Sequence, residues 1–473
     1  MARRTKIVAS IGPASDSPAV LSALVEAGMD TARFSLSHSS LEDTLAKIAV
    51  LREVAPDIGV LADLPGPKIR AAEVEGEGIR LAEGASIDVV TARDGDRTTA
   101  TRLAVFEAEI DSLQPGDRVA LGDGAIQLVV ESAGERAVAR VATGGWIQGR
   151  PGVLLPPGRS APSAPTEDDL RLLEGLADAG VDAVAVSFVR SAADIEAARA
   201  VRPEAYLIAK IETAEAVDDL PAIVAAADGV MVARGDLGLR CAIEDVPHHQ
   251  KRIIRTGVAF ARPVITATQM LESMVRSPVP TRAEVSDIAN AVFDGTSALM
   301  LSGETAIGDD PALAVATMAR IAERAEREFD HDGWGQRLER LQSSVASGMP
   351  AEVRTTAAVS AAAWRAAVEA DLDAIIACTN SGATARAISR FRPRLPIIAA
   401  TPSPSTARAL SMAWGITPLV TDRHGTTDDI VWFAVKAACD AGLLAPGALV
   451  AVLVGSPSEP GPVTDTLRLV RVA

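Results

Sequence analysis

Short, apolar, β-rich runs alternate along this chain with longer helical stretches. "TKIVASIG" (5–12) predicts a strand, and Ser17 to Ala27 a helix that stops at Gly28. "TARFSLS" (31–37) predicts a second strand and Leu41 to Val54 a second helix, with "GVLADL" (59–64) as a third strand. The rhythm then changes. From about Ala71 to Pro157 short strands are broken by Gly and Asp turns, as in "PGDRVALGDGAIQLVV", which predicts an inserted all-β module. Alternation resumes near Thr166. "AVAVSF" (183–188), "AYLIAKIE" (205–212), "GVMVAR" (229–234), "PVITATQ" (263–269) and "SALMLSG" (297–303) read as strands, each followed by a helical stretch.

Three early strands and five later ones make eight strand–helix repeats. Continuous apolar strands of that number predict a closed (β/α)8 TIM barrel, with a doubly wound open sheet as the alternative. The polar stretch 329–350 reads as a linker or bridging helix. The remainder carries "AIIACT", "PIIAAT" and "ALVAVLVG", too little for a second barrel, and predicts an open α/β sheet. The expected α/β organisation is a first barrel segment over 1–70, an inserted β-rich lid over 71–157, a second barrel segment over 158–335 and a C-terminal α/β domain over 350–473.

Composition narrows the function classes. The chain has 473 residues, 48% hydrophobic and 23% charged, so two or three ordinary globular domains fit. Aromatics are only 3%, so the core must be aliphatic. A net charge of −16 argues against nucleic acid and anionic membranes as partners. Cys241, Cys378 and Cys439 are an odd, scattered set, unlike a disulfide framework or zinc site, and a reducing, cytoplasmic location fits. No signal peptide and no apolar run of membrane-spanning length is evident.

In such barrels chemistry sits at the C-terminal ends of the strands. Those ends carry Arg33, Ser35, Ser37 and His38; Asp63, then Lys68 and Arg70; Ser187 and Arg190; Lys210 and Glu212; Arg234, Gly235 and Asp236; Thr266 and Thr268; and Ser302 and Glu304. Any one of these is ordinarily a solvated residue or ion-pair partner; seven polar strand ends together are harder to explain so. Glu212 and Asp236 end adjacent strands and suit one hard divalent cation. Lys210 and Arg33 suit phosphate oxygens. "RGDLG" places Gly235 and Asp236 where a strand enters a helix, with free amides for a small anion. Metal, phosphate and carboxylate on one rim point to phosphoryl transfer to or from a small acid. "DLPGPKIR" (63–70) adds a proline-stiffened turn that aims cations.

The chain resembles pyruvate kinase in "RRTKIVASIGPAS", "GMDTARFSLSHSS", "GPKIR", "SFVRSAADI", "AKIETAEAV", "DGVMVARGDLG", "RPVITATQMLESM", "PTRAEVSDIANAVFDGTSALMLSGETA" and "TDTLRLVRV", over essentially its whole length. The resemblance implies phosphate transfer from phosphoenolpyruvate to ADP, giving pyruvate and ATP. It implies that Lys210 stabilises the moving phosphoryl group and that Glu212 and Asp236 bind Mg2+ (or Mn2+). By the same resemblance Gly235, Asp236 and Thr268 bind the substrate carboxylate, Thr268 near the site of enolate protonation, and Arg33 binds phosphate. Ser35, His38, Arg70 and Arg150 take nucleotide-side positions, Arg150 in "GRPGVLLP" replacing a lysine. The family also implies a homotetramer under allosteric control. A catalytically inactive metabolite sensor is the alternative; it is expected to lose Lys210, Glu212, Asp236 or Thr268, and none is lost.

Two departures carry expectations. Many family members bind K+ through Asn, Ser, Asp and Thr side chains; here those positions are Ser35, Ser37, Asp63 and Leu64. Leu64 cannot ligate, and Lys68 stands where that branch has Glu. A built-in ammonium at Lys68, balanced by Asp63, predicts that K+ is not required. Leu154 and Ser35 replace asparagines near the nucleotide and bear on nucleotide preference. In the C-terminal domain "CTNSGATAR" (378–386) offers Thr379, Asn380, Ser381, Gly382 and Thr384 at a strand-to-helix turn, which suits a phosphorylated effector and resembles the family's effector loop. An ordinary helix cap is the plainer explanation of the same residues.

Overall fold

Eight parallel strands close on themselves: β1 (Lys6–Ser10), β2 (Thr31–Ser35), β3 (Gly59–Asp63), β4 (Ala183–Val186), β5 (Leu207–Ile211), β6 (Gly229–Ala233), β7 (Val264–Ala267) and β8 (Ala298–Leu301). Each pairs with its sequence neighbours, and β1 pairs with β8 to seal the cylinder. The expected barrel is therefore present and the open-sheet alternative is excluded. The structure is a computed structural model that describes residues 3–37, 39–67, 69–106, 110–122, 126–134, 136–155, 164–345, 351–455 and 463–472.

The apolar runs close into a barrel because both strand faces are buried. Every residue of β3 and β6 is buried, the signature of parallel strands covered on both sides. Val8, Leu61, Ala185, Ile208, Met231, Ile265 and Met300 fill the interior, and Met412 of the C-terminal domain joins that cluster. Helix starts follow local chemistry. Ser17 accepts the Val20 amide with Pro18 behind it, and Thr281 with Glu284 forms a reciprocal capping box.

The inserted module obeys the other rhythm. Its strand Ser86–Thr91 alternates buried and less buried residues, as a sheet with one packed face must. Six strands form one sheet around an aliphatic core that includes Val89, Leu103, Val119, Leu128 and Val141. The C-terminal domain is a five-stranded sheet of β9 (Ala374–Cys378), β10 (Ile397–Thr401), β11 (Ile416–Val420), β12 (Leu449–Val454) and antiparallel β13 (Thr466–Arg471). The helix His331–Val345 precedes it.

The C-terminal domain contacts the N-terminal ends of the barrel strands. Thr31 at the start of β2 meets Ser411 at 2.7 Å, and Arg408 donates to Asp182, just before β4, at 2.8 Å. The opposite, C-terminal rim is left to the lid side. No helix among the described residues is long and apolar enough to cross a membrane.

Candidate active site

The turn after β3 is pinned before any charge is placed. Gly66 takes φ +70°, and a Cβ there would lie 2.7 Å from the Ser187 and Phe188 side chains. Its amide donates to Asp169 at 3.0 Å, tying the turn to the next barrel helix. Leu64 beside it is buried in the barrel–helix core, so its side chain is committed to packing.

Asp63, at the end of β3, is almost fully buried and gathers the rim. Arg33 from β2 donates through Nε at 2.8 Å and places Nη2 2.6 Å from the same carboxylate oxygen. Its Nη1 donates to Ser10 at the end of β1 at 2.7 Å. Lys210 of β5 lies 3.1 Å from the other Asp63 oxygen and donates to Ser187 at 2.7 Å. Burial alone would raise the Asp63 carboxyl, but Lys210 and Arg33 outweigh it and hold the carboxyl below its ordinary value.

Lys210 and Glu212 stand two residues apart along one strand direction and so project to the same side. The Lys210 Nζ is 3.1 Å from Glu212 Oε1. Burial pulls the ammonium down, yet Asp63 and Glu212 together hold it above its ordinary value, so it stays charged. Glu212 is wholly buried. The Phe188 amide, presented by a residue at φ +56°, donates to Oε2 at 2.7 Å. Among the described residues Oε1 has no hydrogen-bond donor despite the nearby ammonium, so the contact is electrostatic rather than directed. Burial raises the Glu212 carboxyl, Lys210 opposes, and the Asp236 carboxylate adds to the rise. A buried carboxylate with an open oxygen beside a second carboxylate is what a hard divalent cation fits, its other positions going to water and substrate oxygens.

Thr268 follows β7 at φ +70° and Gln269 at +53°, a conformation that a β-branched residue adopts only under constraint. Arg234 supplies that constraint. Its Nη2 donates to the Thr268 carbonyl at 2.7 Å, while Nη1 donates to Asp287 at 2.6 Å. Thr268 Oγ1 in turn accepts the Gly235 amide at 2.8 Å and donates to the Ala267 carbonyl at 2.6 Å, so that amide is not free as the sequence suggests; it opens the helix Arg234–Arg240 that also carries Asp236.

Several rim residues have other work. Glu304 accepts the Leu271 and Ser302 amides at 2.9 and 2.7 Å, so both of its oxygens are occupied by backbone. Thr266 is buried on the helix-facing side of its strand and donates to Thr296. Arg234 is a clasp. These correct the expectation that every polar strand end belongs to one reactive rim. Ser35 is in register with Asp63, and Ser37 is half-buried in the turn beyond. Arg70 Nη1 donates to the Arg150 carbonyl at 3.1 Å, and the Arg150 guanidinium lies 5.2 Å from the Phe106 ring centre, so both arginines meet at the lid base. His38 and Lys68 lie outside the described residues.

Ser10, Phe188 and Arg240 were not among the expected site residues. Arg240 lies over the Phe188 ring at 5.2 Å; burial lowers it, while Asp236 and Glu212 pull the other way. Its i, i+4 spacing from Asp236 was a usable signal. In the C-terminal domain Thr379 accepts the Gly382 amide, and Thr384 meets Thr464 at 2.6 Å. Thr379, Asn380, Ser381 and Thr384 line a cavity of about 320 Å3, with Arg423 and His424 also in its wall.

Comparison with known proteins agrees over the whole length. The family described as "Pyruvate kinase, barrel domain" matches residues 2–315, and "Pyruvate kinase, alpha/beta domain" matches residues 357–470. Pyruvate kinase of Clostridium acetobutylicum is 37% identical over 99% of both chains. That of Methylorubrum extorquens is 40% identical over 99% of this chain and 97% of its own. That of Mycobacterium tuberculosis is 40% identical over 98% and 97%. With its barrel, its inserted sheet and its C-terminal domain all matched, the chain belongs to the pyruvate kinase family of phosphotransferases.

Proposed function

We propose that the enzyme transfers the phosphoryl group of phosphoenolpyruvate to ADP, giving pyruvate and ATP, as a Mg2+-dependent step of glycolysis. The observation that carries this is the Lys210 ammonium held 3.1 Å from each of two buried carboxylates, Asp63 and Glu212. Phosphoryl transfer needs fixed positive charge more than covalent help, because negative charge spreads over the moving oxygens. Lys210 and Arg33 bind those oxygens. Gly235, Asp236 and Thr268 bind the substrate carboxylate, which would take over the Gly235 amide from the Thr268 hydroxyl, and Thr268 also serves where the enolate takes its proton. Glu212 and Asp236 hold the divalent cation, Mg2+ or Mn2+, which when bound neutralises charge on phosphoryl and enolate oxygens. The open Glu212 Oε1 supports that assignment.

Ser35, His38, Arg70 and Arg150 serve the nucleotide. The division of labour runs from barrel segments 1–70 and 158–335 for chemistry, through lid 71–157 for excluding water, to 350–473 for control. The loop Thr379, Asn380, Ser381, Gly382 and Thr384 takes a phosphorylated effector in a cytoplasmic homotetramer. K+ is not required, because Lys68 supplies the charge. What supports this is Leu64, whose side chain is spent on core packing and offers no oxygen to a cation.

The test is pyruvate formation from phosphoenolpyruvate, ADP and Mg2+ in Tris without K+, Na+ or NH4+, repeated with KCl at constant ionic strength. Full activity without K+ supports both the kinase and the Lys68 role. Activity only with K+ keeps the kinase and removes the Lys68 role. No activity in either, with sugar phosphates and AMP also tried, sinks the assignment.

A further inference from the structure

Two serines stand beside the two cations of the rim, and each makes the same pair of bonds. Ser10 ends β1 and is buried; its hydroxyl lies 2.7 Å from Nη1 of Arg33 and 2.9 Å from the Leu301 carbonyl at the end of β8. Ser187 follows β4 and is almost fully buried; its hydroxyl lies 2.7 Å from Nζ of Lys210 and 2.6 Å from the Leu64 carbonyl just after β3. Arg33 and Lys210 share the Asp63 carboxylate, so one line of contacts runs from Ser10 through Arg33, Asp63 and Lys210 to Ser187.

The direction of each proton in that line follows from the groups themselves. Arginine and lysine only donate, a backbone carbonyl only accepts, and a hydroxyl does both with a single proton. Ser10 must therefore accept from Arg33 and donate to Leu301. Ser187 must accept from Lys210 and donate elsewhere. The Leu64 carbonyl at 2.6 Å takes that proton in preference to Asp63 Oδ1 at 3.3 Å, and with either acceptor a lone pair of Ser187 faces the ammonium. Alanine in either place would offer neither bond, and a thiol is weak at both.

The backbone around each serine is pinned. The Ser10 carbonyl accepts Thr305 Oγ1 at 2.8 Å, and the Arg33 carbonyl accepts the Ile11 amide at 2.8 Å, which keeps Ser10 and Arg33 in register across β1 and β2. A Cβ on Gly66 would lie 2.7 Å from Ser187 Cβ, so the turn after β3 closes directly on that serine. What each cation has left can then be counted. A guanidinium carries five N–H bonds. In Arg33, Nε and one bond of Nη2 go to Asp63 and one bond of Nη1 goes to Ser10, which leaves one on each terminal nitrogen. Such a pair from one planar group matches two oxygens of a phosphoryl group. Of the three N–H bonds of Lys210, one goes to Ser187 and one faces Asp63, which leaves one.

We propose that Ser10 and Ser187 are positioning residues for phosphoryl transfer, one for each cation: each hydroxyl takes up one N–H bond of its partner and so directs the remaining ones at the phosphoryl oxygens. The inference rests on the roles given above to Arg33 and Lys210. The two serines should fail differently. Arg33 grips the phosphate before the reaction begins, so loss of Ser10 shows in the binding of phosphoenolpyruvate. Lys210 meets charge that develops as the phosphoryl group moves, so loss of Ser187 shows in kcat.

The experiment compares the full-length wild type with Ser10→Ala and Ser187→Ala. Calorimetry with Mg2+ and no ADP gives the Kd of phosphoenolpyruvate, and steady-state assays give kcat and the KM of each substrate. Ser10→Ala is expected to weaken phosphoenolpyruvate binding by about tenfold, with kcat and the KM for ADP nearly unchanged. Ser187→Ala is expected to lower kcat by about 10–100-fold, with the phosphoenolpyruvate Kd nearly unchanged. Ser10→Thr keeps the hydroxyl and is expected to bind as the wild type does. In an Arg33→Met background Ser10→Ala should weaken binding no further, because a residue that acts through Arg33 then has nothing to act on. Ser10→Cys and Ser187→Cys, which fill the space but hydrogen-bond weakly, replace any alanine variant that does not fold. Unchanged constants in both single variants, the same pattern of loss in both, Ser10→Thr as weak as Ser10→Ala, or a further loss in the Arg33→Met background would each overturn the proposal. A wild type that binds phosphoenolpyruvate but forms no pyruvate with ADP would sink the proposed function instead, and the binding comparison at Ser10 and Arg33 would still decide this inference. A wild type that does not bind phosphoenolpyruvate would remove both.

Discussion

At the C-terminal end of the barrel buried charges face one another: Lys210 lies between Asp63 and Glu212, and Arg33 closes on Asp63 from the far side. Where the C-terminal domain meets the other end of the barrel, Arg392 lies against the Gly295 and Thr296 carbonyls and aromatic rings instead. Among the described residues the first arrangement leaves one carboxylate oxygen of Glu212 without a hydrogen-bond donor, which suits a cation. The second leaves Nε and Nη1 of Arg392 with no acceptor among the described residues, enclosed by the Phe329, Trp334 and Trp414 rings. Reading which group is left without a partner and what surrounds it, rather than how many charges gather, separates the rim from the domain contact. A pair of glutamates makes the same point at closer range. Glu212 and Glu304 are both wholly buried at strand ends, yet Glu304 gives both oxygens to backbone amides and Glu212 only one.

The contrast can be broken most severely at Lys210. Lys210→Met should lower kcat by about 10²–10³-fold, the usual cost of removing one preorganised charge partner, in a steady-state assay with saturating Mg2+. Next come the two carboxylates proposed to hold the metal. Glu212→Gln or Asp236→Asn should raise the Mg2+ concentration needed for half-maximal rate by at least about tenfold, given that losing even outer partners of a metal costs roughly 10–100-fold. Direct Mn2+ binding, read by its paramagnetic signal, should weaken in parallel. Glu304→Gln sharpens the comparison by doing the reverse. One backbone amide then faces an NH2 group, which costs about 1–3 kcal/mol, so Tm should fall while the Mg2+ requirement stays put.

The smallest expected effect is a pH dependence at the domain junction. His331 is buried, with Nδ1 2.8 Å from the Arg392 carbonyl. Burial lowers it, and the nearby arginines add to the depression, against the opposing hydrogen bond. A depressed folded value means that the unfolded chain binds the proton more readily. The contribution is therefore fully present above the ordinary histidine value of about 6.5 and is lost as pH falls below it. Tm followed downward from neutral pH should fall less steeply in His331→Gln than in the wild type.

The sequence exposed the barrel because uninterrupted apolar runs such as "GVLAD" and "GVMVA" have no other comfortable environment than a sheet covered on both faces. It exposed Arg33, Asp63, Lys210, Glu212 and Asp236 because charge at the end of such a run must reach the rim. It did not separate Glu212 from Glu304, since both follow a strand and the distinction lies in which amides turn toward them. Those amides come from unusual backbone, Phe188 at φ +56° for one, which no residue pattern announces. Arg234 was visible as a rim cation, but its task of bracing Thr268 depends on Asp287 on a distant helix. The small cavity that Arg262 of the barrel shares with Arg392 of the C-terminal domain was invisible for the same reason. Arg262 and Arg392 belong to different domains and meet only after both have folded.

Lys210, fixed by two buried carboxylates, is the proposed source of charge for phosphoryl transfer, and everything else at the rim is arranged around it. The most direct measurement is the rate of pyruvate formation from phosphoenolpyruvate and ADP, with Mg2+ saturating, for the wild type and for Lys210→Met of matched circular dichroism. The wild type is expected to turn over, and the variant to be slower by about 10²–10³-fold with phosphoenolpyruvate still bound. Equal rates in the two proteins would contradict that role.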